Sequence, residues 1–207
     1  MSSSRKPASN PVETEAKISV RSFAPIKRGI VAAGGRLINA RALEINTLFD
    51  DLGGSLRSVG KSFRVRRYGD QGVVTLKGPA TVRDGLKSRM ELETEVRSPD
   101  RLAQILGELG FGPIFRYEKF REVWRVGSAL LCLDETPLGN FVEIEGTVSV
   151  IRRVAAKLGV ASSRFLSTSY PMLWLGSGRK GDMVFAKRRA APTKAKAKAK
   201  AKGTGRA

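Results

Sequence analysis

The 207-residue chain contains no histidine. That absence removes the usual general base near neutral pH, every Ser-His or Cys-His nucleophile pair, and the imidazole ligands typical of zinc enzymes. Any bound metal would have to take oxygen ligands, and carboxylate sites suit hard cations such as Mg2+ or Mn2+. Cysteine is nearly as scarce. Cys132 is the only one, so no intramolecular disulfide can form, and its apolar setting in "ALLCLDE" marks a buried thiol rather than a nucleophile. No uninterrupted stretch approaches the roughly 20 apolar residues of a membrane span, and the N-terminal region lacks the layout of a secretion signal. A cytoplasmic protein without membrane contact is expected.

Acids are missing from the C-terminal end, where residues 187–207 hold nine Lys or Arg and no Asp or Glu. The formal net charge is +19, so the rest of the chain carries +10 (19 − 9). A body that basic favours an anionic partner, either a phosphate-bearing small molecule or a nucleic acid. The polar opening and the Lys-Ala repeats cannot feed a core. Disordered tails over 1–11 and 179–207 are therefore expected around one domain over 12–178, with the basic tail a candidate contact for nucleic acid or polyphosphate.

Within that domain, period-two segments dominate, each with one ionisable and one apolar face. "VETEAKISV" aligns Glu13, Glu15 and Lys17 against Ala16, Ile18 and Val20. "FRVRRY" aligns Arg64 and Arg66, "VVTLKG" Thr75 and Lys77, and "SRMELETEV" Arg89, Glu91, Glu93 and Glu95. "YEKFREVW" aligns Lys119 and Arg121, "LCLDE" presents Asp134, and "FVEIEG" presents Glu143 and Glu145. A further strand is expected around "RLINARAL", and "GDQG" reads as a hairpin turn. Helical spacing appears in "SPDRLAQILGELGF", with Ser98 as cap and Gly110 as stop, and in "TVSVIRRVAAKLG", with Thr147 as cap and Gly159 as stop. A shorter helix is expected near "PIKRGIVAAGG".

A solvated sheet face usually mixes Ser, Thr, Gln and Lys, whereas these rows are almost purely ionisable. If the sheet closes into a barrel with the helices outside, the rows line its interior. Carboxylates two apart on a strand lie roughly 7 Å from each other, and at an effective dielectric near 20 they repel by roughly 2 kcal/mol. A divalent cation relieves that repulsion, and the Arg and Lys rows can hold phosphate oxygens. "GGSLRSVGKS" ends like a phosphate-binding P-loop, but five residues rather than four separate Gly54 from Gly60, and a strand pattern follows where a helix is needed.

Taken in order, "ETEAK", "FRVRR", "TLKGP", "SRMELETE", "EKFREVW", "LDETPLG" and "FVEIEG" resemble the CYTH domain family, also called triphosphate tunnel metalloenzymes, over about residues 12–175. The resemblance implies an α+β fold built on a closed eight-stranded antiparallel β-barrel with helices packed outside. It implies triphosphate or nucleoside triphosphate substrates with Mg2+ or Mn2+. By position, Glu13, Glu15, Asp134, Glu143 and Glu145 would serve metal, assisted by Glu91 or Glu93. Lys17, Arg64, Arg66, Lys77, Arg89, Lys119 and Arg121 would bind phosphates, with Lys77 or Lys119 as the catalytic base. Relatives of this kind pair up, which leaves room for a homodimer. The leading expectation is an inorganic or organic triphosphatase. Class IV adenylyl cyclase is the second, though the His-Phe pair that such cyclases carry upstream of the E-x-E-x-K signature is replaced here by "NPV". A non-catalytic polyanion-binding module is the third.

Overall fold

The computed structural model describes residues 11–68 and 71–186, without the side chain of Gln71. Among the described residues nine antiparallel strands form one sheet: β1 (Val12–Val20), β2 (Arg36–Asp51), β3 (Ser62–Tyr68), β4 (Gln71–Lys77), β5 (Thr81–Arg83), β6 (Leu86–Val96), β7 (Phe111–Val126), β8 (Ala129–Thr136) and β9 (Gly139–Glu145). Eight of them run β1-β9-β8-β7-β2-β3-β4-β6, and β6 returns to β1 through pairs such as Glu13↔Arg89 and Glu15↔Lys87. The expected eight-stranded barrel is therefore closed and leaves no open edge in the ring. Short β5 is an addition, pairing with the start of β6 where β4 has ended. β3 and β4 form a hairpin closing on Tyr68↔Gln71; the expected turn residues Gly69 and Asp70 lie outside the described residues.

The ionisable rows face inward, so the opposite, apolar row of each strand must be covered from outside. Helices α1 (Phe23–Ala32) and α4 (Val148–Lys157) do this over β1, β9 and β8. Ile26, Ile30, Ile151, Val154 and Ala155 pack on Ala16, Ile18, Leu131, Leu133, Val142 and Ile144. Burying one such aliphatic side chain is worth about 1.5–3 kcal/mol. The stripe read for α4 (Ile151, Val154, Ala155 and Leu158) faces this core, and Gly159, at φ +69°, ends the helix in the left-handed region while Val160 N–H donates back to Ala155 C=O. Helix α3 (Pro99–Glu108), capped by Ser98, lays Leu102, Ala103 and Leu106 against Phe49, Val65 and Val74. Helix α2 (Ser55–Ser58) and a 3-10 turn at Ser162–Arg164 are short connectors.

Helix α5 (Tyr170–Gly176), not expected from the sequence, closes one end of the barrel. Tyr170, Tyr117, Phe141 and Met183 form a cluster there with Leu48, Leu166 and Trp174. Past β8, the edge of β7 is taken by the segment around Met183: Met183 N–H donates to Arg116 C=O and Glu118 N–H to Met183 C=O, both at 2.9 Å. The expected domain end at residue 178 is therefore too early, because Met183 is fully buried and belongs to the fold. Likewise Pro11 is already inside it, its C=O accepting from Glu91 N–H. The tails expected to be disordered otherwise fall on residues 1–10 and 187–207, outside the described residues.

Candidate active site

The inward rows surround a cavity of about 950 Å3. Every sequence-predicted site residue except Asp134 lines it, and three charges of the lining went unread: Arg41 and Glu44 on β2 and Lys87 on β6. With Asp134 outside it, the lining holds nine Lys or Arg and seven Glu, an excess of cations that favours an anionic guest.

One side of the cavity is a basic network built over an acid. Asp134, fully buried, accepts from Arg121 Nε and Nη2, both at 2.6 Å, from Lys119 Nζ at 3.0 Å and from Tyr170 Oη at 2.8 Å. The Arg121 contact is the two-pronged geometry that fixes a guanidinium plane. Asp134, expected among the metal ligands, does not line the cavity but lies behind the cations with its oxygens taken, where it orients Arg121 and Lys119. Glu44 stands 3.5 Å from Lys119 Nζ and 3.8 Å from Arg66 Nη1. Burial alone would raise its carboxyl, but Lys119, Arg121 and Arg66 hold it at about 2. Arg64 reaches Tyr117 Oη at 3.4 Å and Thr75 Oγ1 at 3.2 Å, and its buried Nε has no partner among the described residues, like that of Arg66. Buried donors without partners are uncommon, and here they sit in the row expected to take phosphate.

The other side carries the glutamates. Glu15 and Glu145 are directly opposite on β1 and β9, with Lys17 opposite Glu143 in the next inward position. Lys77 Nζ lies 2.6 Å from Glu91 and 3.5 Å from Glu13, Lys17 Nζ lies 3.1 Å from Glu143, and Lys87 pairs with Glu15. Glu143 also touches Arg121. Three of the four acids thus turn to a lysine, and among the described residues no three carboxylates converge into a ready-made cage. Glu145 makes no ion pair there. Burial, with Glu13, Glu143 and Glu15 nearby, pushes its carboxyl up to about 7 despite Arg121. Glu143, by contrast, is drawn well below the usual carboxylate range by Lys17 and Arg121, against its burial.

The two expected base candidates separate. Burial and then Arg64 push the Lys77 ammonium well below the ordinary lysine range, against the pull of Glu13. For Lys119, burial and Arg121 lower the value, but Asp134, Glu44 and Glu143 outweigh them and raise it. Of the two expected base candidates, Lys119 is the more firmly held cation. Lys17 adds a structural role: its Nζ also donates to Thr168 C=O at 3.1 Å and lies 4.2 Å over the Tyr170 ring, tying the first strand to the closed end. Cys132 lies beside Glu145 with its thiol pushed well up by burial, which keeps it protonated and inert.

A model of the CYTH domain matches residues 13–161. A candidate adenylate cyclase of Methanocaldococcus jannaschii is 25% identical over 141 residues, covering 68% of this chain and 79% of that protein. Among solved structures, a candidate adenylate cyclase of Vibrio parahaemolyticus superposes with a TM-score of 0.70 at 18% identity, covering 79% of this chain and 97% of the other. A candidate adenylyl cyclase of Hippeastrum, whose structure is described as revealing a dominant triphosphatase activity, superposes with a TM-score of 0.59 at 20% identity, covering 81% and 97%. With a closed barrel, opposed acid and base rows inside it, and a matching domain signature over most of its length, the chain belongs to the CYTH domain family.

Proposed function

We propose that the protein is a divalent-metal-dependent phosphohydrolase of triphosphates. The observation that carries this reading is the division of one cavity into a fixed basic side, Arg64, Arg66, Lys119 and Arg121, and a glutamate side, Glu13, Glu15, Glu143 and Glu145. A plain polyanion binder gains from the first and loses from the second.

The glutamates fit a hard cation. All donors are oxygens, Glu15 and Glu145 are in register, and the raised Glu145 carboxyl marks a place where negative charge is in excess. Mg2+ and Mn2+ commonly bind through one or two carboxylates plus substrate phosphate oxygens, so a complete protein cage is not required. When bound, such an ion would neutralise charge on the phosphates and lower the pKa of a bound water. Glu13, Glu15, Glu143 and Glu145 would hold it.

The chain's own residues supply the rest. Arg121 and Lys119, locked by Asp134, offer donors that need no reorganisation when a phosphate arrives, which is the condition for strong electrostatic stabilisation. Arg64 and Arg66 present further guanidinium donors from β3. Lys77, with its depressed ammonium between Glu13 and Glu91, is the group best suited to take a proton from an attacking water at Nζ. The triphosphatase activity described for the Hippeastrum relative supports hydrolysis. A second reading, cyclisation of ATP, is favoured by the names of the Methanocaldococcus and Vibrio relatives. Purified protein incubated with tripolyphosphate, ATP and thiamine triphosphate, each with Mg2+ or Mn2+, separates them: orthophosphate is expected, cyclic AMP with pyrophosphate would favour the cyclase, and no turnover on any would refute both.

A further inference from the structure

The match to the CYTH domain ends at residue 161, yet Lys17 on β1 is held by a segment beyond it. Leu166 N–H donates to Lys17 C=O at 2.8 Å, and Thr168 C=O accepts from Lys17 Nζ at 3.1 Å. Tyr170 then opens α5 and lines the cavity. The local sequence fixes it there. Ser169 precedes it in an extended conformation, with its C=O accepting from Leu173 N–H at 2.9 Å, and Pro171 brings a backbone angle already suited to a first helical turn. Phe141 meets the Tyr170 ring edge-on with centroids 5.3 Å apart, so the side chain is clamped as well.

Three charged groups converge on this one neutral residue. Tyr170 Oη donates to Asp134 at 2.8 Å, and the ring centroid lies 4.2 Å from Lys17 Nζ and 5.3 Å from Lys119 Nζ. The residue is only 4% exposed, and the attraction of an ammonium to a ring face is strongest where water is excluded. Lys119 has Asp134 and Glu44 as acid partners besides. Lys17 is placed differently. Its one ion pair among the described residues is with Glu143, a glutamate of the side that fits a cation. Once that carboxylate serves a metal, the Lys17 ammonium keeps the Thr168 carbonyl and the Tyr170 ring.

We propose that Tyr170 is a positioning residue of this cavity: its ring keeps the Lys17 ammonium aimed at the phosphates after Glu143 turns to the metal, while its hydroxyl steadies Asp134 beneath Arg121 and Lys119. The inference rests on the triphosphate reading of the same cavity. An aromatic face suits the task better than another acid would. A second carboxylate beside Lys17 would hold the ammonium more tightly, but it would also repel the incoming phosphates at short range in a site poor in water. The ring is neutral, so it restrains the cation and leaves its charge available to the substrate. Nothing in the alternation of the strands carries this role, because Tyr170 reaches the cavity from a helix that follows the barrel.

The test is calorimetric binding of tripolyphosphate with Mg2+ to the wild type, Tyr170→Phe and Tyr170→Leu, each also in a Lys17→Met background, with thermal melts to verify folding. Tyr170→Phe keeps the ring and is expected to bind within about threefold of wild type. Tyr170→Leu is expected to bind about tenfold more weakly, the loss of one desolvated contact between ammonium and ring. In the Lys17→Met background the gap between the two variants should close to within about twofold, because the cation that the ring holds is gone, whereas a merely structural defect would persist. Should Tyr170→Leu fail to fold, a ring-fluorinated phenylalanine at position 170 is set against Tyr170→Phe; fluorine withdraws charge from the ring face with the packing kept, and the same loss is expected. No gap, a gap equally large in both backgrounds, or a wild type that binds no tripolyphosphate overturns the inference. Phosphate release is followed in parallel: release without the gap refutes the role of Tyr170 and spares the hydrolase, whereas the full gap without release refutes the hydrolase and spares Tyr170.

Discussion

Replacing Glu145 with glutamine should make the metal-free protein more stable at pH 8 and leave it unchanged at pH 4. The folded carboxyl titrates at about 7 instead of 4.5, first because it is buried and then because Glu13, Glu143 and Glu15 surround it. Between those two pH values the folded protein keeps a proton that the unfolded chain has released, so stability falls as pH rises through the window and levels off above it. At about 1.4 kcal/mol per pH unit the loss is on the order of 3 kcal/mol, and solvent screening at this incompletely buried site reduces it to about 1–3 kcal/mol. Glutamine keeps the shape and carries no such loss. For a chain of this size the gain at pH 8 corresponds to a melting temperature higher by roughly 3–10 °C. Urea unfolding of both proteins in chelator from pH 4 to 8 measures it. Stability curves that run parallel, or a variant weaker than wild type at pH 8, would refute the electrostatic account of this wall. Saturating Mg2+ together with a non-hydrolysable triphosphate should then invert the order, since only the wild type keeps the full carboxylate set.

Asp134→Ala should destabilise the protein by about 3–5 kcal/mol in urea unfolding, because Arg121 and Lys119 are left buried without their acceptor; Asp134→Asn, which keeps an acceptor, should cost less while raising KM for the triphosphate. Glu44→Gln should show the opposite pH dependence from Glu145→Gln. The wild-type carboxyl at about 2 stabilises the fold above pH 4.5, and that contribution, on the order of 3 kcal/mol, is lost as pH falls towards 2, so the variant is the weaker at pH 7 and the difference closes in acid. Lys77→Met should lower kcat by 100-fold or more with KM within a few fold, roughly the contribution of a general base; a variant that loses only KM would reassign Lys77 to substrate binding.

The alternation of ionisable and apolar residues exposed most of the barrel, because a period of two assigns each side chain to a face without reference to its partners. Glu13, Glu15, Lys17, Arg64, Arg66, Lys119 and Arg121 all proved to point where that period places them. Glu44 escaped because the two extra residues near Ile38 shift the phase of β2, so "RLINARAL" does not read as one continuous strand. Lys87 lay two residues before Arg89 on the same face, a signal present but outside the segment read. Depth is a different matter: period two places Asp134 inward but cannot tell a ligand at the cavity wall from an acid beneath the cations. Helix α5 and the Met183 segment are short and owe their structure to the closed end of the barrel, which no local pattern encodes.

The pairing inside the cavity also explains how so many charges coexist there. Lys77 with Glu91, Lys87 with Glu15, and Lys17 with Glu143 each join a cation to an acid on a neighbouring strand, so much of the interior is neutral in small units, while Glu145, without such a partner among the described residues, meets its burial by a carboxyl pushed up to about 7. If a divalent cation and a polyphosphate entered such a lattice together, Glu13, Glu15 and Glu143 would be free to hold the cation once Lys77, Lys87 and Lys17 turned to phosphate oxygens. The total charge hardly changes, and each buried group keeps a partner of opposite sign. A cation alone, or a polyphosphate alone, would break pairs without replacing them. On the proposed reading, substrate and metal are expected to be mutually dependent ligands of this cavity: binding of tripolyphosphate should tighten with Mg2+ present, and equal affinity with and without Mg2+ would refute the exchange.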